Sequence, residues 1–85
     1  MEKIDDNEKE RILKKKAEFY YFMNLKCHIK LKTLGFFING KILSTFNESG
    51  GFWIVKDDRK EEIKRVFLEE IFDIEDYQEN IGKRW

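Results

Sequence analysis

The spacing of apolar positions changes period once along this chain. Ile12, Leu13, Phe19, Tyr20 and Met23 recur mostly three or four residues apart, which is the stripe of an amphipathic helix. Asp5, Asp6 and Asn7 offer side-chain oxygens to the unpaired amides of a first helical turn. Glu8 and Glu10 then sit near the positive end of the helix dipole, and Lys14, Lys15 and Lys16 lie toward its negative end. The pattern predicts a helix from about residue 6 to 22, after a loose leader Met1–Ile4. From Lys26 the period falls to two. Cys27, Ile29 and Leu31 alternate with His28, Lys30 and Lys32, the signature of a strand.

Beyond Gly35, the residues Phe36, Ile38, Gly40, Ile42 and Ser44 share one face, with Phe37, Leu43 and Thr45 on the other. A glycine inside such a run permits a sharp bend or the close approach of another backbone. Glu48-Ser49-Gly50-Gly51 reads as a turn, Phe52–Val55 as a third strand, and Asp57-Asp58-Arg59-Lys60 as a second turn. The stretch from Glu61 to Tyr77 fits two patterns. Ile63, Val66, Phe67, Ile71 and Ile74 line up as one helical face, and the glutamates favour helix by propensity. The same residues also divide into two apolar strands, Ile63–Leu68 and Ile71–Tyr77, broken at Glu69-Glu70. A helix here would give an α-β-β-β-α domain like a double-stranded-RNA-binding domain. Residues 78–85, ending in Trp85, form a tail that frays or serves assembly.

A chain of 85 residues is one small domain, which buries only a little over ~60% of its unfolded surface. Cys27 is its single cysteine, so no internal disulfide supplements the core, and a reducing compartment is expected. Oligomerisation is the remaining way to hide more apolar surface. The 17 basic and 17 acidic side chains cancel, which gives no support for broad nucleic-acid affinity. They are unevenly placed, however. Lys14–Lys16, Lys26, Lys30, Lys32 and Lys41 make the first half basic, while Glu61, Glu62, Glu69, Glu70, Asp73, Glu75, Asp76 and Glu79 make the last third acidic. Such polarity suits head-to-tail contacts between copies. The charged N-terminus is unlike a signal peptide, and no run approaches the ~18 apolar residues of a membrane span. A cytoplasmic protein without membrane contact is expected.

The order of elements carries a resemblance. Ile29-Lys30-Leu31, then Gly35, then Gly40, then Phe46-Asn47, and the stretch Phe52–Val55 before Lys56-Asp57, are similar to the first sequence motif of the Sm-like family (Sm and LSm proteins and bacterial Hfq). Val66-Phe67-Leu68, Glu69-Glu70 and Ile71-Phe72-Asp73-Ile74 resemble the family's fourth strand, tight turn and fifth strand. The resemblance covers nearly the whole chain and rests on order and spacing. It implies a mainly β fold with an N-terminal α-helix: a single domain whose strongly bent five-stranded antiparallel sheet, about residues 26–77, forms a small open barrel. The residue bias toward Lys, Ile, Phe, Glu and Asn fits an AT-rich genome, such as many phage and marine microbial ones.

The resemblance also implies a function. The fourth strand of one subunit would pair with the fifth of the next, through Ile63, Val66, Leu68, Ile71, Ile74 and Tyr77, to close a ring of about five to seven subunits. Single-stranded RNA binding or RNA chaperoning would use Phe46, Asn47 and Ser49, supplemented by Tyr20, Lys14, Lys15, Lys16 and His28. Three departures weaken that pocket. The family's acidic residue is Asn47 here, its stacking residue falls near Ser49, and its Arg-Gly turn is Glu69-Glu70, whose carboxylates repel phosphate. A ring-forming structural or protein-interaction module that has lost the RNA pocket is the alternative. His28 and Cys27 lack partners at metal-ligand or nucleophile spacing. Catalytic residues, metal and cofactors are expected to be absent.

Overall fold

The structure, a computed structural model, describes residues 6–79. The leader Met1–Ile4, the capping position Asp5 and most of the tail therefore lie outside the described residues. The element order is α1(Asp6–Phe22), β1(Cys27–Leu31), β2(Phe37–Ile42), β3(Phe52–Asp57), β4(Glu62–Phe67), a 3₁₀ turn Leu68–Glu70, and β5(Ile71–Asp76). All the strands form one antiparallel sheet in the order β4-β3-β2-β1-β5. Among the described residues the fold is mainly β, with one α-helix, and the sheet is open. β4 and β5 are its two edges.

The helix ends where Asn24 enters the left-handed region at φ 60°. There the amides of Met23 and Leu25 donate to Phe19 and Tyr20 carbonyls at 2.9 and 3.0 Å, a C-terminal cap for which Asn is well suited. Its buried face is Leu13, Ala17 and Tyr20, narrower than the sequence stripe. Phe19 and Met23 are exposed, because the helix sits on β2, β5 and the 3₁₀ turn with Ala17 at the contact, and only one ridge can face them. Tyr20 donates to Asp76 at 2.5 Å and Lys16 Nζ to Asp73 at 2.8 Å, pinning the helix to β5. Burial, then the bond to Asp76, pushes the Tyr20 phenol up to about 12.

Gly40 sets the path of β2 against β3. It faces inward between buried Ile38 and Ile42, and a Cβ there would lie 1.8 Å from the Lys56 carbonyl oxygen. The two backbones can approach so closely only because the side chain is a hydrogen.

The stretch 61–77 is two strands, not a helix. Its helical spacing has a specific origin in β5. Leu31 pairs with Ile71 and Lys30 with Asp73, so Phe72 is the extra residue of a β-bulge. The bulge lets Ile71 and Ile74, three apart, both face the core while Phe72 turns outward. The 3₁₀ turn is held at both sides. Leu68 N–H donates to the Gly51 carbonyl and Lys32 N–H to the Glu70 carbonyl, each at 2.9 Å. Glu70 Oε2 accepts from Phe67 N–H at 2.9 Å, so this carboxylate closes the turn.

Gly40→Ala is expected to lower stability by roughly 2–4 kcal/mol, because the new methyl meets rigid backbone. Gly51→Ala, at φ 74° with nothing near the added methyl, should cost only about 1 kcal/mol. Urea midpoints of the two variants test this. Equal losses would show that β2 and β3 separate freely.

Candidate functional site

The loop between β2 and β3 carries Phe46, Asn47 and Ser49. Asn47 organises it: its N–H donates to the Phe52 carbonyl at 2.9 Å, its carbonyl accepts from Gly51 N–H at 2.7 Å, and its Oδ1 accepts from Gly50 N–H at 2.8 Å. The Asn47 side-chain oxygen is thus engaged with its own turn. Ser49 is exposed at the tip. Phe46 leans on Trp53, ring centroids 4.6 Å apart, with Lys14 Nζ 4.7 Å from its ring centre. Together they border a groove of about 260 Å³ between α1 and the loop. Lys14 also lies 3.9 Å from Glu48.

The other expected RNA contacts are elsewhere. Lys16 and Tyr20 border a separate groove of about 540 Å³ between α1 and β5, and both are bonded to β5 aspartates. His28 is buried, with its Nδ1 3.2 Å from Asn39 Oδ1 and its ring 4.9 Å from that of Phe37. Of the expected set, the structure brings Phe46 together with Lys14 and Lys15 at this groove; Asn47 and Ser49 share the loop but do not line it. It does not bring Lys16, Tyr20 or His28 to them. Around the same loop, Glu69 and Glu10 border a shallow depression with Gly50 and Gly51. The side that would meet phosphate therefore carries carboxylates.

Asn39 is a residue that sequence reasoning missed. Its Nδ2 donates to the Gln78 carbonyl at 3.0 Å, and its Oδ1 accepts from Gln78 N–H at 3.1 Å. These two bonds fix the amide orientation, so the His28 Nδ1 beside Oδ1 must carry a proton. Nothing in the local pattern signals this pairing, which spans 39 residues of chain. Cys27 is fully buried, and burial pushes its thiol up to about 12, consistent with a packing role. Among the described residues there is no cluster of metal-ligating side chains, and no helix is long and apolar enough to cross a membrane.

The expected edge residues divide in two. Val66, Leu68, Ile71 and Ile74 point into the core, and Tyr77 is half-buried, its hydroxyl donating to Asp58 at 2.9 Å. Ile63 is 63% exposed. The charge polarity of the sequence is partly satisfied within the chain, by Lys16–Asp73, Lys26–Asp58 and Lys30–Glu75, each at 2.8 Å. No family model matches the chain, and neither a curated protein nor a solved structure is significantly similar to it.

Asp58 provides a pH test of this internal pairing. The hydrogen bond from Lys26 holds its carboxyl below the usual range, against the opposing effect of burial, and the Tyr77 hydroxyl adds to the lowering. A carboxyl depressed in the folded state contributes stability that is present above its unfolded value, about 4, and lost as pH falls through the folded one. Asp58→Asn should therefore be less stable than the parent at neutral pH, with the difference shrinking in acid. Urea midpoints measured from about pH 7 down to about pH 2 check it; a difference that persists unchanged in acid would mean that the ion pair contributes nothing.

Proposed function

We propose that the chain is an Sm-like assembly module in which β4 of one copy pairs with β5 of the next, closing a ring of about five to seven copies. The carrying observation is the sheet order. Among the described residues β4 is bonded only to β3 and β5 only to β1, so two strands of six residues each present backbone unpaired within them at opposite ends of one sheet. Such edges are costly to leave open, and a head-to-tail interface satisfies both at once. The helix followed by five short strands, and the glycine-dependent close approach of β2 to β3, further support an Sm-like scaffold with a small, open-barrel shape. Because Val66, Leu68, Ile71 and Ile74 serve the core of their own subunit, the interface would rest on edge hydrogen bonds, with Ile63 as an exposed apolar contact.

Light scattering on a sizing column is expected to return a closed oligomer. Ile63→Lys, at an exposed position, should shift it toward monomer without loss of β-sheet signal by circular dichroism. A wild-type chain that runs as a clean monomer at high micromolar concentration would remove the ring.

Single-stranded RNA binding is the second reading. It is favoured by the part-exposed Phe46 ring with the Lys14 ammonium beside it and Lys15 in the same groove; Trp53 behind it is buried. The engaged Asn47 side-chain oxygen and the carboxylates of Glu10 and Glu69 count against the usual uridine pocket. In this reading oligo-U and oligo-A binding at moderate salt weakens with Phe46→Ala and Lys14→Glu while the oligomeric state is kept. Absence of binding at micromolar protein leaves the assembly role alone.

A further inference from the structure

A second surface lies away from the β2–β3 loop, and the proposed function does not use it. The turn after β1 places Gly35 at φ 86°, with Phe36 N–H donating to the Thr33 carbonyl at 3.1 Å. This geometry thrusts Leu34 to the tip, 95% exposed, with Phe36 63% exposed beside it. The β5 bulge adds Phe72, 52% exposed, and Phe37 completes a groove of about 380 Å³. Large apolar side chains gathered this way mark a contact surface more often than scattered single ones do.

Among the described residues this groove is lined by Lys30 and Lys32 and by no carboxylate, in a chain where 17 of 85 residues are acidic; His28, also in the lining, is buried. Lys30 is paired with Glu75, whereas Lys32 is exposed and makes no ion pair among the described residues. Lys9 Nζ adds a further cation, 5.2 Å from the Phe72 ring centre.

Ring coverage separates the candidate anions. Phe72 has Lys9 over its ring, and Phe37 has the Arg59 guanidinium 4.5 Å from its centre and the His28 ring against it. A base stacking on Phe72 or Phe37 would have to displace these groups. Leu34 and Phe36 carry no such cover and are exposed; Leu34 offers a base no ring, whereas an apolar side chain can meet both.

We propose that this surface docks an acidic peptide segment of a partner protein, inserting one large apolar side chain between Leu34, Phe36 and Phe72 while its carboxylates meet Lys32 and Lys9. Phe72 projects out of the sheet rather than along its edge, so docking and edge pairing use different groups.

The test is fluorescence anisotropy on the full chain with the labelled peptide EDDFDLEE. The controls are its charge-reversed form KKKFKLKK, its anchor-free form EDDADAEE, and labelled oligo-U. The expected result is saturable binding of EDDFDLEE alone, weakened by added salt and reduced roughly ten-fold or more, about 1.4 kcal/mol, by Lys32→Glu and separately by Phe36→Ser. Both positions are exposed, and circular dichroism verifies that the variants fold. Lys64→Glu on β4 should leave binding unchanged. The proposal fails if EDDFDLEE does not bind, if neither groove variant weakens it, or if oligo-U binds better and responds to the same two substitutions. It fails too if Phe36→Ser changes the oligomeric state, which would assign the surface to a second copy of the chain.

Discussion

The close approach of two backbones at Gly40 is the constraint on which the remaining architecture depends. A sheet this small has little apolar material, and it encloses a core only by drawing its strands tightly around a few side chains. With a hydrogen at Gly40, the Lys56 carbonyl can occupy space that any Cβ would need. Ile38 and Ile42, on either side, are then carried inward toward Val55 and the helix. The 3₁₀ turn reinforces the arrangement from the other end, since its bonds to Gly51 and Lys32 tie the connection between the two edge strands to both flanks of the sheet. The edges are thereby held by their own connection even though they are not bonded to one another.

Charge plays a supporting part that differs from its distribution in sequence. The basic first half and acidic last third look like complementary patches for neighbouring molecules. Folding places β5 beside β1, and the acids of β5 thereby face lysines of the same chain. Lys16 and Tyr20 both end on β5 aspartates, so they secure the helix and are not free cation and ring for a ligand. Among the described charges outside these ion pairs are Glu10 and Glu69 beside the β2–β3 loop and Lys32 beside the β1–β2 turn.

Much of the fold was legible in the sequence, because period and punctuation are local properties. The helix limits, the alternating first strand and the glycine turn follow from spacing and backbone freedom. The strand character of residues 61–77 was less legible, because a bulge at Phe72 imitates helical spacing and only pairing with β1 reveals it. The site was harder still. Phe46, expected from the resemblance, does meet Lys14, but Asn47 turns out to bind its own turn, and Glu70 closes the turn after β4. Whether a polar side chain serves the backbone or a ligand depends on which amides lie within 3 Å of it. Asn39 is the clearest case: a buried amide on the face of β2 opposite Ile38 and Ile42, whose partner, Gln78, lies 39 residues further on.

That amide has a mechanical consequence. By donating to and accepting from Gln78, the Asn39 side chain imitates a peptide group and supplies one more rung beyond the last residue of β5. A pulling force applied beyond Glu79 would load these two side-chain bonds before it reached the ladder between β5 and β1. The two bonds thus stand in series between such a load and β5, the strand that also anchors the helix.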